Sequence, residues 1–198
     1  MKKYLLLIIG FIGFGFNAQN AKDYLNIPGP LEIDGTEFLL DWSKQKSATL
    51  YLQQYLPRDE TIKTFTQLIN ISYFDKEIDL DDAVRQKVES FQNREKSDKY
   101  SNVQVTESPD GTQFIVDGIL TETPKNGNPY AEYGIYRFKK MTNGAKKSFI
   151  IFSYIKRSYG DVKYAAKSLS KERNKLMGLL IDFQIPVISL ATTDETKN

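Results

Sequence analysis

Residues 130–156 read YAEYGIYRFKKMTNGAKKSFIIFSYIK, and the fold class follows from this stretch. It predicts two long strands, Tyr130–Lys140 and Lys147–Lys156, because aromatic and β-branched residues are concentrated on both sides of a turn signal. The pair Asn143-Gly144 between them is favourable for a tight hairpin. The run Phe149–Phe152 is apolar on both faces, so the second strand is predicted to be central in a sheet covered on both sides.

A long helix is predicted after this hairpin. Asp161 can cap its start, and Pro186 stops it because proline cannot continue a helix. Apolar residues recur at helical spacing between these two points: Val162, Ala165, Ala166, Leu169, Leu176, Leu179, Leu180 and Phe183. Such a stripe has to be buried against another layer, here the sheet.

Two further strands are predicted before the hairpin. Val103 and Val105 alternate with polar neighbours, and Phe114–Leu120 forms a second apolar run. The turn signal Pro109-Asp110-Gly111 separates the two. Gly118 inside the second run is interpreted as a possible β-bulge.

Two helices are predicted further upstream. The first rests on residues at helical spacing, which are Ile62, Phe65, Leu68, Ile69 and Tyr73. The second begins near Asp79 and Asp81, and its apolar stripe is Leu80, Val84, Val88 and Phe91.

The first part of the domain is predicted to be a β-hairpin. Glu32–Ser43 is strand-rich with a turn at Asp34-Gly35, Ala48–Leu56 is the next strand, and Lys44–Ser47 connects them. Strands and helices thus come in runs and do not alternate one by one. This order predicts an α+β fold with an antiparallel sheet of about six strands covered by helices.

Composition excludes several classes of function. The 198 residues contain 27 Lys plus Arg against 25 Asp plus Glu, a balance that argues against a generally basic nucleic-acid binder. Cys and His are both absent, so Cys or His nucleophiles, Ser-His triads and zinc sites built on these residues are excluded. No catalytic residue, cofactor site or metal site is predicted.

The amino-terminal residues match a secretory signal. Met1-Lys2-Lys3 is followed by the apolar run Tyr4–Phe16 and then by small and polar residues. We expect residues 1–20 to be a signal peptide, with an uncleaved anchor as the alternative. Residues 21–30 are expected to be a leader, 31–186 a single domain and 187–198 a polar tail. The mature protein is then expected in a periplasm or outside the cell, with membrane contact only through the signal segment.

Two sets of residues are candidates for a binding surface. One is a row of lysines repeating every four residues on the last helix: Lys163, Lys167, Lys171 and Lys175. They could dock on an anionic surface, or they could simply be the solvated side of the helix. The other set is Tyr130, Tyr133 and Tyr136, which could contact sugars or peptides, or could stabilise the sheet by cross-strand pairing.

Acidic residues support a weaker, enzymatic alternative. A glycosidase needs only two carboxylates about 5–9 Å apart. Asp79, Asp81 and Asp82 cluster in the sequence, but at the start of a predicted helix, where acidic residues commonly serve as caps. Capping is therefore the preferred interpretation of this cluster.

The order of elements resembles the PsbP-like fold, an α-β-α sandwich found in photosystem extrinsic subunits and many secreted bacterial proteins. The stretches that carry the resemblance are Phe38–Trp42, Tyr51–Thr61 (YLQQYLPRDET) and Phe65–Ile69. The resemblance implies a fold that is usually non-catalytic, and it transfers no functional residue to this chain.

We therefore expect an exported, non-enzymatic binding or assembly protein of a bacterial cell envelope. Its partner is expected to be an envelope protein, a glycan or a lipid, and not a nucleic acid. The alternatives are a secreted hydrolase with paired carboxylates and a carrier of a small ligand or lipid in an apolar pocket between sheet and helix.

Overall fold

The computed structural model describes residues 21–143 and 146–191, and within them the chain forms eight β-strands and two α-helices. The strands are β1 (Leu31–Ile33), β2 (Thr36–Ser47), β3 (Leu50–Pro57), β4 (Gln67–Phe74), β5 (Asn102–Glu107), β6 (Gln113–Glu122), β7 (Tyr130–Asn143) and β8 (Lys146–Tyr159). The helices are α1 (Leu80–Glu95), which follows β4, and α2 (Val162–Asp182), which follows β8.

All strands join one antiparallel sheet in the order β1-β2-β3-β4-β8-β7-β6-β5. The first four strands and the last four are each connected sequentially, and the two groups meet where β4 pairs with β8. The predicted α+β class with an antiparallel sheet is confirmed. The sheet is larger than the predicted six strands, because Asp34-Gly35 separates β1 from β2 and because β4 was expected to be helical.

The helix predicted from Ile62 to Tyr73 was wrong. Residues Gln67–Phe74 form β4, in which seven of the eight residues are buried. This strand lies between β3 and β8, so both of its edges are paired. The burial of neighbouring residues shows that both of its faces are covered as well. Apolar residues on both faces of a short buried strand can fit a helical spacing as well, and the tertiary position decides between the two structures.

Two local predictions also need correction. The β2–β3 turn lies at residues 48–49, because β2 continues through Lys44–Ser47 and Ser47 pairs with Leu50. Gly118 is not at a bulge: it keeps its register with Val103 on one side and Gly134 on the other. The reason for a glycine here is close approach, since a Cβ would lie 2.8 Å from the Phe91 ring.

The two helices cover opposite faces of the sheet. Neighbouring side chains of a strand point to opposite faces. On β7, Phe138 packs in a cluster with Leu80 and Val84 of α1, whereas Ile135 packs in the core that contains Leu169 of α2. The prediction that β8 is central is confirmed, since Phe149, Ile150 and Phe152 are 0% exposed.

Charged side chains stabilise both ends of helix α2. Asp161 caps its start, as predicted, by accepting hydrogen bonds from the backbone N–H groups of Lys163 (3.0 Å) and Tyr164 (3.2 Å). At the other end, Nη1 of Arg137 donates to the carbonyl oxygens of Leu180 (3.1 Å) and Phe183 (2.8 Å). A cation at this end favours the helix dipole and satisfies carbonyls that have no partner inside the helix.

The segments before β1 and after α2 pack together. Leu25 and Ile27, in the segment expected to be a leader, are 0% and 6% exposed, and Ile188 is 9% exposed. The backbone N–H groups of Ser189 and Ala191 donate to the carbonyl oxygens of Leu25 (3.1 Å) and Tyr24 (2.9 Å). Both segments thus contribute to the core on the α2 side.

Some predictions lie outside the described residues. The signal segment at residues 1–20, Gly144 of the expected hairpin turn and the last part of the polar tail are among them. Neither α1 nor α2 in the described part of the chain is long and apolar enough to cross a membrane.

Candidate functional site

The strand tyrosines do not form one surface. Tyr133 is 1% exposed and points toward α2, where its hydroxyl donates to Oδ2 of Asp117 at 2.9 Å. Burial and the nearby Asp117 carboxylate raise the pKa of Tyr133. Its side chain is therefore part of the core and is not available to a ligand at the surface.

Tyr133 belongs to a buried polar link between sheet and helix. Asp117 on β6 is 1% exposed and receives two hydrogen bonds from Arg173 of α2, Nε to Oδ2 at 2.7 Å and Nη2 to Oδ1 at 2.8 Å. A bidentate arginine is the arrangement that best compensates a buried carboxylate. The sequence signal was the single charged residue inside the apolar run of β6, and its partner could not be identified before the helix was placed.

Tyr136 lies on the opposite face, below Lys87 of α1. Its ring crosses Gly134, where an added Cβ would be 2.7 Å from the ring, and it packs edge-on against Phe91 at 6.1 Å between centroids. Nζ of Lys87 is 3.5 Å from the centroid of the Tyr136 ring. Burial lowers the pKa of Lys87 to about 8, against the opposing effect of Glu132.

Tyr130 lies at the end of β7 beside Arg157 of β8. The Arg157 guanidinium is between two rings, with its Cζ 4.1 Å from the centroid of Tyr130 and 3.9 Å from that of Phe65. Its Nε also donates to Glu132 at 2.8 Å. The cation, the carboxylate and the rings satisfy one another, so this cluster is a structural contact between β7, β8 and the segment before β4.

The four lysines of α2 are all exposed. Nζ of Lys175 lies 2.6 Å from Oδ2 of Asp34, so the last member of the row is paired. Lys163, Lys167 and Lys171 form no ion pair with the described residues. The unpaired lysines of the row are therefore the three nearest the start of the helix.

An open groove of about 400 Å³ runs beside this start of α2. One wall is helical and the other comes from the α1–β5 connection and the start of β5. The lining residues are Lys99, Tyr100, Asn102, Lys163, Ala166, Lys167 and Ser170. Ala166 is buried, whereas the lysines are exposed. We call this the lysine groove.

The groove wall carrying Lys99 and Tyr100 is held by Asp98. The Asp98 carboxylate accepts hydrogen bonds from the N–H of Thr121 (2.5 Å), the hydroxyl of Thr121 (2.8 Å) and the N–H of Tyr100 (3.0 Å). Burial alone would raise the pKa of Asp98, but these bonds and the Arg94 charge outweigh it and hold the pKa below its usual range. The wall is thus fixed to β6 and does not depend on a ligand for its position.

The residues that line the lysine groove include three lysines and no acidic residue. Lys99, Lys163 and Lys167 pair with no carboxylate among the described residues. Three ammonium groups around one groove repel one another, and an anion would relieve this. Sequence periodicity identified Lys163 and Lys167, but it missed Lys99 and Tyr100, which belong to a distant segment.

The most buried carboxylates are held by arginines. Asp117 is bound by Arg173, Glu132 by Arg157, and Asp98 lies 3.6 Å from Nε of Arg94. At the start of α1, Asp79 accepts a hydrogen bond from the N–H of Asp82 (2.8 Å), which confirms the capping interpretation. Within residues 21–143 and 146–191, no three acidic side chains gather into a possible metal site.

A protein-family model matches residues 25–185 of the chain. The chain belongs to this family. The match extends from the segment before β1 to the residues just after α2, so family membership covers the whole sheet and both helices. No curated protein and no solved structure matches the chain.

Proposed function

We propose that this chain is an exported, non-enzymatic binding protein of the bacterial cell envelope and that it binds negatively charged groups in the lysine groove. The observation that carries the proposal is the convergence of Lys99, Lys163 and Lys167 on one groove without a carboxylate partner among the described residues. Tyr100, Asn102 and Ser170 add a ring and polar groups that can orient a bound anion.

The state of the carboxylates favours binding over hydrolysis. A retaining or inverting glycosidase needs one carboxyl group kept protonated and a second one facing it. Asp98, Asp117 and Glu132 are instead engaged with arginines. Burial raises the pKa of Asp41 on β2, but this side chain has no carboxylate partner in the described hydrogen bonds. The engagement of Asp98, Asp117 and Glu132 in structural ion pairs is what favours binding over hydrolysis.

Export is supported by the order of residue types at the amino terminus. Two lysines, an apolar run and a small polar stretch form the three regions of a signal peptide. Fractionation of cells that express the full chain tests this part: the mature protein should be shorter than the full chain and should be found in the periplasm or the medium. A full-length product in the cytoplasm would contradict it.

The PsbP-like resemblance also stays a proposal. One part of the architecture supports it, a helix on each face of an antiparallel sheet, whereas the segment that follows the YLQQYLPRDET stretch forms β4 and not the helix on which the resemblance partly rested. A fold that is usually non-catalytic agrees with a binding role, although a fold does not determine a function.

A charge-reversal experiment tests anion binding by the lysine groove. The probe is fluorescein-labelled tetraglutamate, and binding to the protein without residues 1–20 is measured by fluorescence anisotropy at physiological ionic strength. Lys167→Glu should weaken binding by about tenfold or more, because it places a like charge against the probe. Lys171→Glu is the matched control, since Lys171 lies one turn further along α2 and does not line the groove.

The control should weaken binding clearly less than Lys167→Glu, by about threefold or less, because Lys171 does not line the groove and its through-space effect, about 6 Å further along the helix, is partly screened by salt. Equal weakening by Lys167→Glu and Lys171→Glu would show a diffuse effect of net charge and would contradict a groove. Absence of binding to the unmodified protein would contradict the proposed function itself.

A further inference from the structure

The lysine groove opens onto an edge of the sheet. β5 is the last strand in the sheet order, and β6 is its one strand neighbour among the described strands. Asn102, the first residue of β5, lines the groove together with Lys99 and Tyr100. An extended chain that paired with β5 would therefore reach the groove at the end where Asn102 lies.

The hydrogen bond that follows the paired residues of β5 shows which backbone groups of this strand face β6. The N–H of Ser108 donates to the carbonyl of Gln113 at 2.9 Å, directly after the paired residues Asn102–Glu107. In an antiparallel ladder, alternate residues direct both backbone groups to the same neighbouring strand. The N–H and C=O groups of Val103, Val105 and Glu107 therefore point away from β6, to the open side of the sheet.

This edge carries only one of the usual features that prevent strand addition, the charged Glu107 at the end of β5 farthest from the lysine groove. β5 reads NVQVTE, with no lysine and no proline, and its register with β6 is continuous over six pairs. Val105 is 46% exposed. Natural sheets commonly protect such edges with lysine, proline, bulges or very short strands. The opposite edge strand, β1, has three residues and so has little to offer a partner.

We propose that β5 and the lysine groove form one docking surface, which binds an extended acidic segment of a partner protein as an added strand. The proposal rests on the proposed function and names its partner. Strand addition supplies backbone hydrogen bonds along about 20 Å, at roughly 3.4 Å per residue, and acidic side chains beyond the paired part then contact Lys99, Lys163 and Lys167. The unpaired positive charge of the groove selects an acidic partner.

The test compares peptides that can pair with peptides that cannot. Labelled probes contain alternating threonine and valine joined to tetraglutamate at either end, and matched probes carry N-methyl groups that remove alternate backbone donors. We expect the pairing probe to bind about tenfold or more tightly than tetraglutamate alone, and the N-methylated probe to bind no better than tetraglutamate.

A backbone variant tests the same point from the protein side. Val105→Pro removes an N–H that points away from β6, so it should leave the β5–β6 ladder intact and abolish the added affinity of the pairing probe. Val105→Thr keeps the N–H and the branched shape, and it should bind like the unmodified protein. Circular dichroism and thermal melting check that both variants fold.

Three other outcomes would each contradict a different part of the proposal. Equal affinity for tetraglutamate and the pairing probe, unaffected by Val105→Pro, would overturn strand addition and leave anion binding standing. No binding of either probe would overturn both. A dimer in sedimentation velocity that Val105→Pro abolishes would show that the edge binds a second copy of this chain, which overturns the acidic partner.

Discussion

Among single residues, two glycines that face each other across β6 and β7 determine how α1 sits on the sheet. Gly118 pairs with Gly134, and the rings of Phe91 and Tyr136 occupy the space that their side chains would take. A Cβ on Gly118 would lie 2.8 Å from Phe91 and would overlap the backbone oxygen of Asn102. The close packing of α1, β5 and β6 therefore depends on a missing methyl group.

Gly118→Ala should destabilise the domain by about 1–3 kcal/mol, the usual cost of overpacking. Gly178→Ala in α2 is the matched control, because nothing lies within 4 Å of its Cβ position. Alanine there should stabilise by about 0.5–1 kcal/mol through lower backbone entropy of the unfolded chain. Urea denaturation measures both free energies of unfolding, and a neutral Gly118→Ala would contradict the close approach.

Lys87 gives a pH dependence of stability with a definite sign. Its pKa is lowered to about 8 in the folded protein, whereas an unfolded lysine titrates near 10.4. Between these values the unfolded state binds more protons, so this group makes the folded state more stable as the pH rises. Below about pH 8 the full cost of burying the charge is present.

As the pH rises from 7 to 10, the unfolding free energy of the unmodified protein should therefore increase relative to that of Lys87→Met. The methionine keeps most of the apolar stem but carries no titrating group. Lys171→Met, at an exposed site, should show no such shift. A pH-independent difference for Lys87→Met would mean that the ammonium group is solvated despite its position above Tyr136.

Among the helices, α2 depends on one apolar side for its position. Leu169 and Leu176 are 1% and 2% exposed. Leu169→Asp or Leu176→Asp should unfold the domain, with a loss of roughly 4 kcal/mol or more, because each places an unpaired charge in the core. Ser168→Asp, next to Leu169 but exposed, should change stability by about 0.5 kcal/mol or less. Unchanged melting of Leu169→Asp would contradict the buried side of α2.

Whether the local sequence pattern agrees with burial explains which elements could be predicted. Helix α2 has one apolar side and a capping residue at Asp161, so local pattern and burial agree. In β4, the apolar positions fit a helical period only because nearly every side chain of Leu68–Phe74 is buried. A local pattern cannot show that β3 and β8 cover both edges of this segment. The error therefore arose where tertiary pairing, and not local spacing, determines the structure.

For the molecule as a whole, the candidate site could also be predicted only in part from the sequence. The helical spacing of Lys163 and Lys167 was enough to predict one exposed wall. The other wall, with Lys99 and Tyr100, is placed by the hydrogen bonds of Asp98 to Thr121 on β6. Similarly, the sequence placed Tyr130, Tyr133 and Tyr136 in one candidate set, and only the position of α2 shows that Tyr133 lies on the core face.

The two end segments should stabilise the domain together. A fragment of residues 21–184 lacks Ile188 and the hydrogen bonds to Leu25 and Tyr24. It should be less stable than the fragment 21–191 by about 2–4 kcal/mol, from the lost burial of Ile188 and the exposure of Leu25. Thermal melting of the two fragments measures this, and equal melting temperatures would contradict a joint role.

This pairing also sets how the domain would respond to mechanical load. Leu25 with Ser189 and Tyr24 with Ala191 run in opposite directions, so residues 21 and 191 lie at the same end of the pair. A force that pulls these two residues apart would load the hydrogen bonds one after another, as in a zipper. The end segments would then peel away at low force.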